Sequence, residues 1–400
     1  MKQKLFFALA AAALAVACSK NAPVEGQDVT TLPDEEGLAP EAIRFSSNLS
    51  VFSAQTAKAG GALESWNNET LYIFGIDRAA AAFTAVDAIL INNVEATAPD
   101  ADPVKDPEGN VTAPASDLIT LNDPAVTGTP EPFYYSGSTR YDFYGYYVDG
   151  AAQPADVVVE DAQIYIPVKI TGGEDIMIAK ADQATDIAGT EVTNPDYAYS
   201  AYSARRNVVP NLVFEHQLSR FIFNVVGGNG MTDEELAKVN IESLSLTSLT
   251  QGTLYIAGPR GLKVEGVDLD QEPEALELKE RVGNVLQPLT VAHATTTEEQ
   301  LGESIMVIPG ADSYKMVLKL SQTGATTGIK DQEFVITPNS IDTDPNVDGV
   351  QPAAAIEAGK QYVITIKIYS LKEVKISATL TPWENGGSSI FDPDDPETWE

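Results

Sequence analysis

Asn211-Leu-Val-Phe-Glu-His-Gln-Leu-Ser-Arg-Phe-Ile-Phe-Asn-Val225 carries two alternating apolar series in one run. Phe214, His216 and Leu218 share one parity, while Phe221, Phe223 and Val225 share the other. Successive side chains of a strand point to opposite faces, so this parity change predicts a register switch near Ser219-Arg220, as a β-bulge would produce. A period of two without any three-to-four repeat makes the segment sheet and not helix. His216, on the apolar parity, reads as a structural histidine whose buried ring is satisfied by a neighbouring backbone group, with no catalytic role.

Working outward, the same pattern recurs on both sides. Upstream strands are expected at Ile43–Phe52, Leu71–Ile76, Tyr141–Val148, Val157–Val159, Gln163–Val168 and Asp175–Ile178, each bounded by Gly, Pro, Asn, Asp or other small polar residues. Downstream ones are expected at Ser243–Leu249, Thr253–Ile256, Ser304–Ile308, Tyr314–Leu320 and Glu333–Ile336. Tyr362–Ile368 and Val374–Leu380 close the series with clear alternation. One short helix is expected after Thr232, which forms a capping box with Glu235. Many short strands at this spacing indicate an all-β protein built from sandwiches. The boundary between an N-terminal domain, 43–207, and a C-terminal domain, 208–383, is placed at the polar linker around Arg205-Arg206-Asn207. Residues 18–42 read as a polar tether, 92–132 as an acidic, Pro-rich surface excursion, and 384–400 as an acidic tail.

Composition narrows the function. The chain has 400 residues, 25 Lys+Arg against 58 Asp+Glu and a formal net charge of −33. Such a charge repels phosphate polymers, which excludes nucleic-acid binding. The single cysteine, Cys18, allows no disulfide framework and no thiol nucleophile in the folded body. His216 and His293 are the only histidines, and neither lies at a zinc-ligand spacing. No nucleophile elbow, phosphate loop or dinucleotide fingerprint occurs, and the Gly227-Gly-Asn-Gly230 run reads as a turn. Asp344-Pro-Asn346-Val-Asp348-Gly349 reproduces the opening of a calcium loop, but its twelfth position is Ala355 and flanking helices are missing. It is read as an acidic turn, and no cofactor is assigned. No carboxylate spacing marks a glycosidase pair, so the chain is read as a non-enzyme. Tyr134, Tyr135, Tyr141, Tyr144, Tyr146 and Tyr147 could form a platform for sugars, although strand alternation puts about half of such a cluster in the core. A monomeric surface lipoprotein that binds glycans through these tyrosines or the 92–132 excursion is therefore the alternative function.

Met-Lys-Gln-Lys followed by Leu5–Ala17 has a basic start and an apolar stretch too short for a permanent transmembrane helix, which reads as an export signal over residues 1–17. Its end, Leu14-Ala15-Val16-Ala17-Cys18-Ser19, resembles the bacterial lipoprotein signal, although that signal usually carries Leu where Ala15 stands. The resemblance implies acylation (palmitate) of Cys18 and membrane anchoring through its acyl chains.

Four further segments, in order, resemble the fimbrillin family of Bacteroidales, the Mfa-like and major fimbrial lipoprotein pilins. They are Tyr141-Asp-Phe-Tyr-Gly-Tyr-Tyr147, Glu174-Asp-Ile-Met-Ile-Ala179, Leu212–Phe223, and Ile356-Glu-Ala-Gly-Lys-Gln-Tyr-Val363 with Leu380-Thr-Pro-Trp-Glu384. This resemblance implies two transthyretin-like (Greek-key) β-sandwich domains in tandem, export through the periplasm as a lipoprotein and delivery to the outer membrane. It further implies assembly with other fimbrial subunits into a surface pilus that supports adhesion and biofilm formation. Polymerisation would follow proteolytic removal of the N-terminal strand, here residues 43–52, and donor-strand exchange. Lys58 stands where family members often carry Arg and is the first cleavage candidate; Arg44 is the second, and as a residue it also reads as a solvated charge on a strand. Val374, Ile376, Ala378, Leu380 and Trp383 are the candidate donor strand, or simply the last strand of the C-terminal sandwich. Shaft, tip, accessory and anchor positions stay open.

Overall fold

The Asn211–Val225 run is two strands of different sheets. In the computed structural model, which describes residues 38–49, 66, 68–79, 88–98, 104–105, 111–113, 118–124, 131–137, 139–149, 157–181, 199–205, 208–264, 271–282, 285–323, 330–343, 352–370 and 374–381, the parity change is a crossing. Asn211–His216 ends in one sheet and Ser219–Gly227 begins in another. Between them, Gln217 N donates to Ile176 O at 2.8 Å on the first side, and Arg220 N donates to Lys360 O at 3.0 Å on the second. The expected bulge is thus replaced by a sheet-to-sheet crossing, which inverts parity for a different reason: each half turns its apolar residues to its own core.

The chain is nearly all β. A seven-stranded sheet has the spatial order β3 (Ile89–Thr97), β2 (Thr70–Asp77), β7 (Tyr141–Val148), β10 (Ile176–Lys180), β11 (Asn211–His216), β1 (Arg44–Leu49) and β6 (Ile119–Thr120). A four-stranded sheet runs β15 (Gly261–Lys263), β14 (Gln251–Ala257), β9 (Gln163–Lys169) and β8 (Val158–Glu160). A five-stranded sheet runs β19 (Glu299–Val307), β12 (Ser219–Gly227), β23 (Gln361–Ile368), β24 (Val374–Thr381) and β22 (Ile341–Asp342). The fourth consists of β16 (Glu274–Glu277), β13 (Val239–Ser248), β20 (Tyr314–Gln322) and β21 (Lys330–Ile336). Two hairpins, β4 (Val104–Lys105) with β5 (Val111–Ala113) and β17 (Lys279–Val282) with β18 (Val285–Pro288), complete the strands. Among the described residues, two single-turn α-helices, α1 (Ala201–Ala204) and α2 (Asp233–Leu236), open on the capping boxes Ser200–Ser203 and Thr232–Glu235.

The smaller sheet that holds β8 and β9 also holds β14 and β15, in antiparallel register with Tyr255 opposite Tyr165 and Leu254 opposite Ile166. Strands from both halves of the chain therefore share one sheet. Its inward residues Ile164, Ile166, Val168, Leu254 and Ile256 join a single buried cluster that runs from Phe74 and Tyr146 through Phe221 and Phe223 to Ile364 and Ala378. The opposite face of the seven-stranded sheet belongs to a second cluster containing Ile43, Phe45, Leu71, Phe143, Met177 and Phe214. Strand β7 is consequently buried on both faces, which is why it reads Tyr-Asp-Phe-Tyr-Gly-Tyr-Tyr without polar alternation. Gly145 in that run lies against the Phe214 ring, where a Cβ would come to 2.9 Å of Cζ.

The expected excursion 92–132 is narrower. Residues up to Thr97 continue β3, with Val94 and Ala96 buried, and Ile119 and Leu121 return to the core with β6. The alternation rule missed this because Asn92, Asn93 and Glu95 share the strand with those apolar residues. The described tyrosines also depart from expectation: Tyr135, Tyr141, Tyr144, Tyr146 and Tyr147 are all buried, and Tyr134 alone of the six is exposed. Both faces of β7 are covered, so half-exposure does not occur.

Truncating Phe221, which is fully buried between Tyr314 and Tyr362 with ring centroids at 5.6 and 5.2 Å, tests this continuous core. Phe221→Ala is expected to cost about 3–5 kcal/mol, read by urea denaturation. A loss below about 1 kcal/mol would contradict the packing.

Candidate strand-exchange site

Strand β1 is internal. Ser46 to Leu49 pair in parallel with Asn211 to Phe214 of β11, and Arg44 and Phe45 pair antiparallel with Thr120 and Ile119 of β6. Alternation sends Ile43, Phe45, Ser47 and Leu49 inward, where all four are buried, while Arg44 points outward and is exposed. Around the inward residues lie Leu212, Phe214 and Trp66, whose indole meets the Phe214 ring edge-on at 5.2 Å. Ser47, the small residue among these inward positions, is buried with its Oγ without a hydrogen-bond partner among the described residues.

Residues just before the strand are also pinned. Ile43 N donates to Phe133 O at 2.7 Å and Leu121 N donates to Ile43 O at 3.1 Å. Arg205 reaches back to this segment, with Nε 3.5 Å from Glu41 Oε1 and a terminal nitrogen donating to Ala39 O at 2.5 Å. Ile43 just before β1 and Phe45 and Leu49 within it, at about 1.5–3 kcal/mol each for full burial, make this segment a substantial part of the core.

The candidate donor residues lie elsewhere. Strand β24 is paired along its length with β23 and, at Ala378 and Thr379, with β22. Ala378 is buried, and Val374, Ile376 and Leu380 are partly buried against the large core cluster. Cys18, Lys58, Trp383 and the Asp344, Asn346, Asp348 set lie outside the described residues. Among the described residues no group of three His, Cys, Asp or Glu could hold a metal.

The fimbrillin-like family model matches residues 78–383. The chain belongs to the fimbrillin-like family. Comparison with curated protein sequences found no match. Similar solved structures include one named as a putative cell adhesion protein from Bacteroides uniformis, at 16% identity, covering 86% of this chain and 98% of that one with a TM-score of 0.44. They also include the C-terminally truncated tip fimbrial protein Mfa3 from Porphyromonas gingivalis, at 12% identity, 86% and 100% coverage and a TM-score of 0.37. A fimbrilin from Porphyromonas gingivalis matches at 9% identity, 88% and 98% coverage and a TM-score of 0.38.

Several motif residues of this fimbrillin-like chain have structural duties. Glu174 accepts from the backbone N–H groups of Thr171, Gly172 and Gly173 at 2.6, 3.0 and 3.2 Å, closing the turn that leads into β10. Asp175, next to it, is bonded to His216 Nδ1, with its two oxygens at 3.0 and 2.9 Å and both side chains fully buried. His216 is therefore held by a carboxylate and not by the backbone group expected from sequence. The sequence offered no sign of this pair because its members are 41 positions apart. Arg220, also buried, donates from Nε to Ser304 Oγ at 3.3 Å, and its burial was not anticipated either. Tyr362 accepts the Glu357 N–H at 2.8 Å, and Gly359, at φ 67°, permits the intervening turn. Tyr314 makes the comparable closure by donating to Ile308 O at 2.7 Å.

Removing the imidazole by His216→Ala leaves the Asp175 carboxylate without this partner, and a loss of about 1.5–3 kcal/mol is expected in urea denaturation. Equal stability of variant and wild type would show that the pair is dispensable.

Burial also controls the phenols. It pushes Tyr144 up to about 12, with Asp142 adding to the shift and Arg260 and Arg78 opposing it, and it raises Tyr362 to about 12. Tyr135, Tyr146, Tyr147 and Tyr314 are raised further by the same cause. Exposed phenols ionise near 10, so the stability linked to keeping these groups neutral is complete below that pH and is lost as pH rises through 12. Titration followed at 295 nm should show the buried phenols ionising in one step that coincides with loss of the far-ultraviolet β signal. Gradual ionisation with the fold intact would contradict their burial.

Proposed function

We propose that this fimbrillin-like chain is a structural subunit of a cell-surface pilus, and that it polymerises by losing strand β1 and accepting a strand from another subunit. The observation that carries this reading is the position of β1. Parallel neighbours cannot be joined by a tight turn, so no hairpin ties β1 to β11. Strand β6 pairs with only two of its residues. Loss of β1 would leave a groove floored by Leu212 and Phe214 with unpaired backbone groups along β11, a template for β-augmentation.

The groove has an order of sizes. Its present occupant presents Ile43, Phe45, Ser47 and Leu49, which is large, large, small, large. Strand β24 presents Val374, Ile376, Ala378 and Leu380 at the same spacing and in the same order of sizes. A second copy of the chain is a suitable donor if its β24 gives up its pairing with β23 and β22, with Trp383 beyond the matched four. Donor and acceptor surfaces differ, so the contact is heterologous and propagates as an open filament. Cleavage after Lys58 would free the whole strand, whereas cleavage after Arg44 would leave Phe45 to Leu49 in place. Lipidation of Cys18 would carry the precursor through the periplasm to the outer membrane before processing, and the assembled fimbrium would support adhesion and biofilm formation.

Limited trypsin digestion of the chain from Ser19 onward tests the proposal. A cut after Lys58 should be followed by an SDS-resistant ladder in unboiled gels, while undigested chain stays monomeric. If cleaved and uncleaved chains are both monomeric after days at high concentration, strand exchange is wrong.

A further inference from the structure

We propose that Ser47 is the residue that makes β1 displaceable: its buried, unpaired hydroxyl holds the resident strand below the affinity of a strand that brings an apolar side chain to the same place. This rests on the strand-exchange reading above and adds to it what decides which strand wins. Ser47 is 5% exposed, and its Oγ has no hydrogen-bond partner among the described residues. It stands opposite Leu212 in the parallel register, between Phe45 and Leu49 along the inward face. The other inward side chains of the segment, Ile43, Phe45 and Leu49, are apolar and buried.

The neighbouring serine meets the opposite fate. Ser46 lies on the other face of the strand, where its Oγ donates to Asn211 Oδ1 at 2.9 Å. One hydroxyl is therefore paired across β1 and β11, while the other has given up water without gaining a partner. On burial an unpaired hydroxyl is a net cost, whereas a methyl group of similar size is a gain. Trp66 Nε1, in the same core, is also buried without a partner among the described residues. It belongs to the wall and stays when β1 leaves, so it does not discriminate between apolar strands. The cost at Ser47 travels with β1.

Covalent attachment hides this cost. While β1 is part of the chain, its effective concentration at the groove is set by the tether, and the contacts of Phe45, Leu49 and the Arg205–Glu41 pair keep it in place. Once the chain is cut, β1 competes at bulk concentration and the weak position counts. The candidate donor β24 carries Ala378 at the matching place, which keeps the small size and removes the hydroxyl.

The test uses the chain from Ser19 onward, cleaved after Lys58 by a lysine-specific protease, which spares Arg44. Cleavage is done in a large excess of two equimolar synthetic peptides, residues 39–49 in native sequence and the same peptide carrying Ser47→Ala. The peptides captured by the chain are then counted by mass spectrometry. The Ser47→Ala peptide is expected to be captured at least about fivefold over the native one. A Ser46→Ala peptide, which loses the bond to Asn211, should show no advantage over the native sequence. In the uncut chain Ser47→Ala should raise the urea midpoint, and Ser46→Ala should not. Equal capture of native and Ser47→Ala peptides, capture of neither, an equal advantage for Ser46→Ala, or an unchanged midpoint in uncut Ser47→Ala would each overturn the proposal. Peptide capture does not require chains to join one another. A preference without an SDS-resistant ladder would refute polymerisation and keep the role of Ser47, and a ladder without a preference would do the reverse.

Discussion

An internal strand has to satisfy hydrogen bonds on both edges and a core on at least one face, and β1 occupies such a position in the seven-stranded sheet. The backbone of β11 needs a parallel neighbour along Asn211 to Phe214, and the core beneath it needs apolar side chains where Ile43, Phe45 and Leu49 lie. Water could satisfy the backbone, but it could not replace those side chains without exposing Leu212 and Phe214. Whatever fills this position completes the fold, and nothing in the geometry requires that it come from the same molecule.

The rest of the architecture keeps that position defined. Strands β2, β7 and β10 are buried on both faces, and their covering sheet draws two strands from each half of the chain. The His216–Asp175 pair sits at the crossing between the halves, where the chain leaves β11 for β12. Fully buried and hydrogen-bonded, it fixes β10 and β11 to one another at the end of the groove floor.

Most of the longer strands were legible in the sequence, because period-two alternation and flanking Gly, Pro, Asn and Asp are local signals, whereas β3, β4, β5, β6, β15, β16, β17, β18 and β22 were not expected. Tyr141–Val148, Gln163–Lys169 and Gln361–Ile368 fall within a residue or so of their expected limits. The capping box at Thr232 and Glu235 forms as its residues dictate. The candidate exchange strand was also visible, since Ile43, Phe45 and Leu49 alternate after a polar segment that cannot fold alone. Its partners were not, because pairing Ser46 with Asn211 joins positions far apart in the chain.

Local chemistry alone determined that this chain is an all-β, acidic, disulfide-free protein with family motifs in its strands and turns, since those properties depend on residue type and short spacing. Only the tertiary structure decided which sheet each strand joins. The parity change at Ser219-Arg220 was readable, yet a bulge and a crossing between sheets invert parity equally, and only long-range pairing separates them. Burial of Tyr144 and Tyr146, and the partial exposure of Tyr165 and Tyr255, follow in the same way from what covers each face of a sheet. Alternation says that a strand has two faces; the packing of distant strands says which of them meets water.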